Sequence, residues 1–187
     1  MFLEFSRLLH DLYFSNSQKR KEMLLHQFFS SSLDPERGYA LAALTGTLQL
    51  PLYRRSRIKD LLMDRVDPTL FALSYDYVGD LSETIAHLWP NKSGLVCVDS
   101  LTLAEIVATF QGDDVEVSTR FLCDCLDVMS YEDRWALLKF LGSSMRVGLS
   151  LRSCKGVLAQ YAQKPIQEIE KVLIVYPIRL FQVLKCN

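Results

Sequence analysis

Residues 34–46 read DPERGYALAALTG, and residues 67–79 read DPTLFALSYDYVG. Each stretch begins with Asp-Pro, continues with mostly apolar side chains and ends at a glycine. An aspartate can accept a hydrogen bond from the free N–H groups of a first helical turn, and proline fits there because its missing N–H would have had no partner. Glycine ends a helix because it adopts a left-handed backbone at little cost. The two stretches therefore predict helices that begin after Asp34 and Asp67, the first reaching about Leu44 before Gly46 and the second ending near Gly79.

Other capping residues predict further helix starts along the chain. Ser17 precedes residues 18–21, Asp80 precedes Leu81, and Thr102 with Glu105 forms a capping box. Ser130 and Asp133 repeat that box in a weaker form. No stretch of five or more residues alternates apolar and polar side chains between turn residues, as a half-buried strand would. We therefore predict an all-α, compact multi-helix fold.

One segment, 89–94, is the best candidate for a linker. It contains proline, asparagine, serine and glycine, and helical periodicity lapses there. It would separate a helical lobe at about 1–89 from a second at about 98–163. No repeat with a fixed period is visible, which disfavours a solenoid.

Composition and cysteine spacing limit the class of protein. Apolar residues make up 49% of the 187 residues, enough for a well-buried core, and no run approaches the roughly 20 apolar residues of a membrane helix. We expect a cytoplasmic protein without a membrane partner, and nothing in the sequence demands more than a monomer. Five cysteines at irregular spacing indicate a reducing compartment rather than a disulfide framework. Cys123 and Cys125 would point to opposite faces of a helix, so we expect no metal site.

Charge is distributed unevenly along the chain although the net charge is only −1. Residues 1–60 carry nine basic and six acidic side chains, residues 61–135 carry four and fourteen, and residues 136–187 carry eight and two. Two basic ends could fold into one positive face, which would suit nucleic-acid phosphates. The alternative is a set of solvated charges scattered over the surface.

The segment 142–155 has a backbone pattern that packing alone does not explain. Gly142 and Gly148 permit close approach of a partner, and Ser150 can cap a helix whose N-terminus attracts anions. Arg146, Arg152 and Lys155 add positive charge at the same place. The segment fits a clamp for phosphates, and a capped loop with solvated arginines is the alternative.

Residues 143–150, which read SSMRVGLS after RWALLK at 134–139, resemble a loop of the form LRxGLA or LRxGVS. That loop belongs to the DNA-binding domain of ATP-dependent DNA ligases. Residues 34–46 and 73–84 are similar to the corresponding segments of a bacterial branch of the family. The resemblance covers about 1–171, and residues 172–187 form a divergent tail.

The resemblance implies an all-helical N-terminal domain that grips nicked double-stranded DNA in the minor groove without reading sequence, in repair, recombination or replication. Such an enzyme must act anywhere in a genome, so contacts to the backbone suit it better than contacts to bases. A bacterial, nucleoid-associated location would follow. The expected DNA contacts are Ser143, Arg146, Gly148 and Ser150 by resemblance, Arg152 and Lys155 by charge, and Lys19 and Arg20, with Lys21 beside them, as a second phosphate contact or a solvated helix face.

The K-x-D-G motif, whose lysine forms the family's lysyl-AMP intermediate, does not occur in this chain. We therefore expect no catalytic residue and no cofactor here; ATP and Mg2+ would belong to a catalytic domain that is missing, as in a truncated gene, or supplied by a separate polypeptide. Three readings remain: a DNA-binding module, part of an active ligase, or a helical protein-interaction remnant of a decayed ligase gene.

Overall fold

The computed structural model describes residues 1–92, 98–142, 145–176 and 178–184. All regular secondary structure in these ranges is helical, so the predicted all-α class is confirmed. No helix within them is both long and apolar enough to cross a membrane. The α-helices of the described ranges are α1 (Phe2–Phe14), α2 (Gln18–Ser31), α3 (Glu36–Leu44), α4 (Arg55–Met63), α5 (Pro68–Val78), α6 (Leu81–Leu88), α7 (Leu103–Gln111), α8 (Val115–Val128), α9 (Tyr131–Leu141), α10 (Leu151–Ala162), α11 (Ile166–Val175) and α12 (Leu180–Val183).

Six of the seven predicted side-chain caps are present. The Asp67 carboxylate accepts a hydrogen bond from the N–H of Leu70 at 2.9 Å, and α5 ends at Gly79 with φ of 73°. Asp34 is the exception, since its carboxylate accepts from Arg37 Nε at 2.8 Å and does not cap α3. The prediction of a cap at Asp34 was therefore wrong: a charged guanidinium is a stronger partner for a carboxylate than a backbone N–H is.

The core is centred on α9. All residues from Arg134 to Leu141 are buried, and both α1 and α6 pack against this helix. The Phe5 ring of α1 meets the Phe140 ring edge-on, with centroids 5.3 Å apart. Helices from the two predicted lobes, 1–89 and 98–163, thus contribute to one hydrophobic cluster.

Buried polar groups join the same segments. Arg134 donates hydrogen bonds to the carbonyl oxygens of Leu126 and Trp89, and Lys139 Nζ donates to Asp80 at 2.6 Å. The indole of Trp89 donates to Asp127 at 2.7 Å. Trp89, predicted to begin the linker, is therefore fixed in the core.

The segment 178–184 also belongs to the core. The Phe181 side chain is fully buried, with its ring centroid 5.0 Å from that of Phe29 and the Arg37 guanidinium 4.5 Å above it. The backbone carbonyl of Ile178 lies so close to α3 that a Cβ on Gly38 would be 1.9 Å from its oxygen. The divergent part of the sequence thus supplies packing that α3 requires.

Candidate nucleic-acid interface

The helices α2 and α10 lie side by side and run in the same direction. Gln18 near the start of α2 donates to Ser153 near the start of α10, with Nε2 and Oγ 2.7 Å apart. Further along both helices, the rings of His26 and Tyr161 have centroids 5.5 Å apart. The N-termini of two helices that are remote in sequence therefore meet at one end of the pair.

Both helix starts are capped by serine as predicted. Ser17 Oγ accepts from the N–H of Arg20 at 3.4 Å, and Ser150 Oγ accepts from the N–H of Ser153 at 3.0 Å. One capping hydroxyl satisfies only part of a first turn, and its remaining N–H groups and the helix dipole attract anions. Two parallel helix starts therefore create a positive potential at the same end.

Four exposed cations surround these helix starts. Lys19 and Arg20 lie in the first turn of α2, Arg152 lies in the first turn of α10, and Arg146 lies in the loop just before it. Within the described ranges none of the four forms an ion pair with a carboxylate. Their charges therefore add to the potential of the two helices. Four of the predicted contacts come together here from segments more than a hundred residues apart.

The loop 145–149 is held in a fixed conformation. Met145 and Val147 are buried while Arg146 and Gly148 are exposed. Arg146 has φ of 43° and Gly148 has φ of 65°, both in the left-handed region. For arginine this conformation costs free energy and persists only where neighbouring contacts enforce it.

Lys21 supplies one of those contacts. Its side chain is only 7% exposed, and its ammonium donates to the backbone carbonyl of Val147 at 2.5 Å. A Cβ on Gly148 would lie 2.5 Å from the same Nζ, so a residue with a side chain would displace the ammonium. Lys21 therefore stabilises the loop through a buried hydrogen bond and does not present its charge to solvent.

Three further predicted contacts have different surroundings. Lys155 forms an ion pair with Glu170, with Nζ and Oε1 2.8 Å apart, so much of its charge is neutralised. Ser150 Oγ is engaged in the cap and lies 3.0 Å from Ser153 Oγ. Ser143 lies outside the described residues.

Sequence reasoning missed a third basic helix start beside the loop. Arg54 and Arg55 are exposed at the start of α4, and Arg55 Nη2 donates to the carbonyl of Gly142 at 3.4 Å. The signal was present as three arginines within four residues, 54–57. Their proximity to the loop depends on this contact between Arg55 and Gly142, 87 residues apart, which no local pattern reveals.

The site offers charge rather than covalent chemistry. No group of three or more potential metal ligands occurs within the described ranges. Burial raises the pKa of the Cys125 and Cys154 thiols to about 12, so both stay protonated at neutral pH. What the arrangement can do is bind an anionic surface at two helix N-termini.

A comparison with models of protein families finds no match to this chain. No curated protein matches it either.

Proposed function

We propose that this chain binds double-stranded DNA through its phosphate backbone, without reading sequence, as the DNA-binding domain of an ATP-dependent DNA ligase. The observation that carries the proposal is the convergence of two parallel helix N-termini with Lys19, Arg20, Arg146 and Arg152. Helix starts and guanidinium groups are the elements with which proteins contact phosphates. The resemblance of residues 143–150 to the ligase loop also supports the proposal.

Phosphate binding predicts a specific electrostatic behaviour. Each phosphate that a cation neutralises releases condensed counterions, so affinity falls as salt rises. Reversing one of these charges should weaken binding to all sequences alike and reduce the salt slope. Specificity for a base sequence is not expected, because base edges are read by other contacts.

Fluorescence anisotropy of a labelled nicked duplex, titrated at about 50 and about 200 mM salt, tests the proposal. We expect binding at the lower salt that weakens at the higher, and a loss of about tenfold or more in both Arg146→Glu and Arg152→Glu. Arg120→Glu is the matched control, because Arg120 is an exposed arginine on α8 in the acidic middle of the chain. Folded protein that does not bind, or an effect of Arg120→Glu as large as that of Arg146→Glu, would refute the proposed interface.

Protein interaction is the second candidate function, favoured by one observation on α5. Leu70, Leu73 and Tyr77 follow one face of this helix and are 49%, 67% and 93% exposed. Contiguous exposed apolar side chains are typical of surfaces that bind other proteins. Unchanged DNA affinity in Arg146→Glu, together with a stable partner lost in Leu73→Glu, would favour this function over DNA binding.

A further inference from the structure

A cavity of about 210 Å3 lies between α1, α6 and α9, formed by residues that the proposed DNA interface does not use. A water molecule occupies roughly 30 Å3 in the liquid, so the cavity has room for a group of several heavy atoms. Its lining combines aromatic rings with carboxylates: it consists of His10, Tyr13, Phe14, Tyr131, Trp135, Glu83 and Glu132.

The aromatic rings of the lining contact one another or a neighbouring ring. Tyr13 and Trp135 have centroids 5.2 Å apart with an angle of 64° between their planes. Tyr13 and Phe14 are also 5.2 Å apart and nearly perpendicular, at 87°. Tyr131, at the start of α9, stacks on His87 with ring centroids 4.0 Å apart. Tyr13 meets both Trp135 and Phe14 at a steep angle, so neither of these two contacts stacks one ring face on another.

The charges around the cavity are mostly negative. Neither Glu83 nor Glu132 forms an ion pair within the described ranges. Burial raises the pKa of the Tyr131 hydroxyl, and the carboxylates of Glu83 and Glu132 raise it further, which places both near that hydroxyl. The Nζ of Lys139 lies 5.9 Å from the centroid of the Trp135 ring, but Lys139 forms an ion pair with Asp80. Arg7 lines an adjoining hollow that shares Glu132 with this cavity and also contains Asp11 and Asp133, so carboxylates outnumber the one arginine across the two hollows.

We propose that this cavity binds a compact organic cation, a quaternary ammonium or guanidinium group. The faces of aromatic rings attract such cations, and partial desolvation strengthens the attraction. The carboxylates of the lining add Coulomb attraction without having to coordinate the ion. A hard metal ion would gain little, because it requires several oxygen ligands in a regular shell. A neutral apolar group would gain nothing from Glu83 and Glu132.

The test compares choline with 3,3-dimethylbutan-1-ol, which has the same shape without the charge. Ligand titration is followed by the NMR shifts of the Trp135 indole and of the Tyr13 and Glu132 amides. We expect choline to bind with a dissociation constant on the order of millimolar and the neutral isostere at least about tenfold more weakly. Equal binding of the two ligands, or no shifts with choline up to about 50 mM, would overturn the proposal.

Two variants keep the test specific. Glu132→Gln preserves shape and exposure and should weaken choline binding at least about threefold, as expected for a removed Coulomb term. Glu116→Gln removes an exposed carboxylate from α8 and should leave binding unchanged; equal weakening in both would mean general electrostatics and would overturn the site. A short peptide that carries trimethyllysine distinguishes the source, because tighter binding than free choline indicates a cation presented by a protein.

Discussion

Lys19 and Lys21 lie two positions apart on α2, yet their side chains have different surroundings. The ammonium of Lys21 is buried against the Val147 carbonyl, whereas Lys19 is exposed at the start of α2. A buried carbonyl that loses its donor costs free energy, whereas removing an exposed cation costs little stability. The two residues therefore separate support of the loop from direct attraction of phosphate.

We predict that Lys21→Met lowers the free energy of unfolding by about 1–3 kcal/mol, while Lys19→Met changes it by less than about 0.5 kcal/mol. Urea denaturation of both variants measures this. In DNA titrations, the logarithm of the binding constant falls linearly with the logarithm of the salt concentration. Lys19→Met should make that slope shallower by about one, because one phosphate contact is lost. If both variants lose the same stability, Lys21 does not support the loop.

Local chemistry made some residues predictable and left others hidden. Ser17 and Ser150 could be assigned as caps because a cap depends on its own next three residues. Asp34 could not, because the competing Arg37 lies one helical turn away and either pairing satisfies the carboxylate. Lys21 looked like its neighbours in a basic run, and its burial follows from a contact 126 residues away.

At the scale of elements, α3 and the segment 178–184 require one another. Gly38 has the Ile178 carbonyl where a side chain would begin, and Phe181 fills the space between Phe29 and Arg37. The sequence predicts the start and end of α3 but not the role of Gly38. A glycine within a helix does not indicate which distant segment packs against it. The pairing of α2 with α10 is hidden in the same way.

Gly38→Ala and Gly156→Ala form a matched pair of helical substitutions. We predict that Gly38→Ala destabilises the protein by about 1–3 kcal/mol, because the methyl group forces the Ile178 backbone away. Around Gly156, in the middle of α10, a Cβ meets no atom within 4 Å. There alanine should stabilise by about 0.5–1 kcal/mol, since it is the better helix former. Thermal and urea unfolding measure both, and opposite signs are the expected result; stabilisation by Gly38→Ala would show that segment 178–184 does not pack tightly on α3.

At the scale of the whole molecule, charge and core are organised separately. The exposed cations of α2, the 145–149 loop and α10 gather at one end, while the chain between 61 and 135 is acidic. The core instead spans the whole chain, and its buried polar bonds cross residues 90–97: Lys139 to Asp80 and Arg134 to Trp89. The uneven distribution of charge could be predicted from the sequence, because it follows from the numbers of basic and acidic residues in each part of the chain. The shared core of the two predicted lobes could not, because it depends on contacts between residues distant in sequence. We accordingly expect one cooperative unfolding transition.

The Asp80–Lys139 pair predicts how the stability of this joint depends on pH. Burial alone would raise the pKa of Asp80, but the hydrogen bond and charge of Lys139, together with hydrogen bonds from the backbone N–H groups of Glu83 and Ser82, outweigh burial and hold the pKa below its ordinary value. A carboxyl with a depressed folded-state pKa contributes stability that is fully present above its unfolded pKa, about 3.9, and is lost as pH falls through the lower folded value. Lys139 is only 4% exposed, so removing its partner leaves a buried charge unpaired.

Asp80→Asn can keep the cap of α6 through its amide oxygen, because asparagine caps as well as aspartate does. The variant loses the negative charge and the second oxygen, which accepts the hydrogen bond from Lys139. We predict that this variant is less stable than the wild type at neutral pH and that the difference narrows as pH falls below about 4, where Asp80 itself becomes protonated. Urea denaturation between about pH 3 and 7 measures the difference. Asp124→Asn on the exposed face of α8 is the control and should match the wild type throughout. If the difference in free energy of unfolding between the wild type and Asp80→Asn stays constant with pH, the prediction is wrong. A stabilising Asp80 carboxylate requires this difference to shrink as the carboxylate becomes protonated.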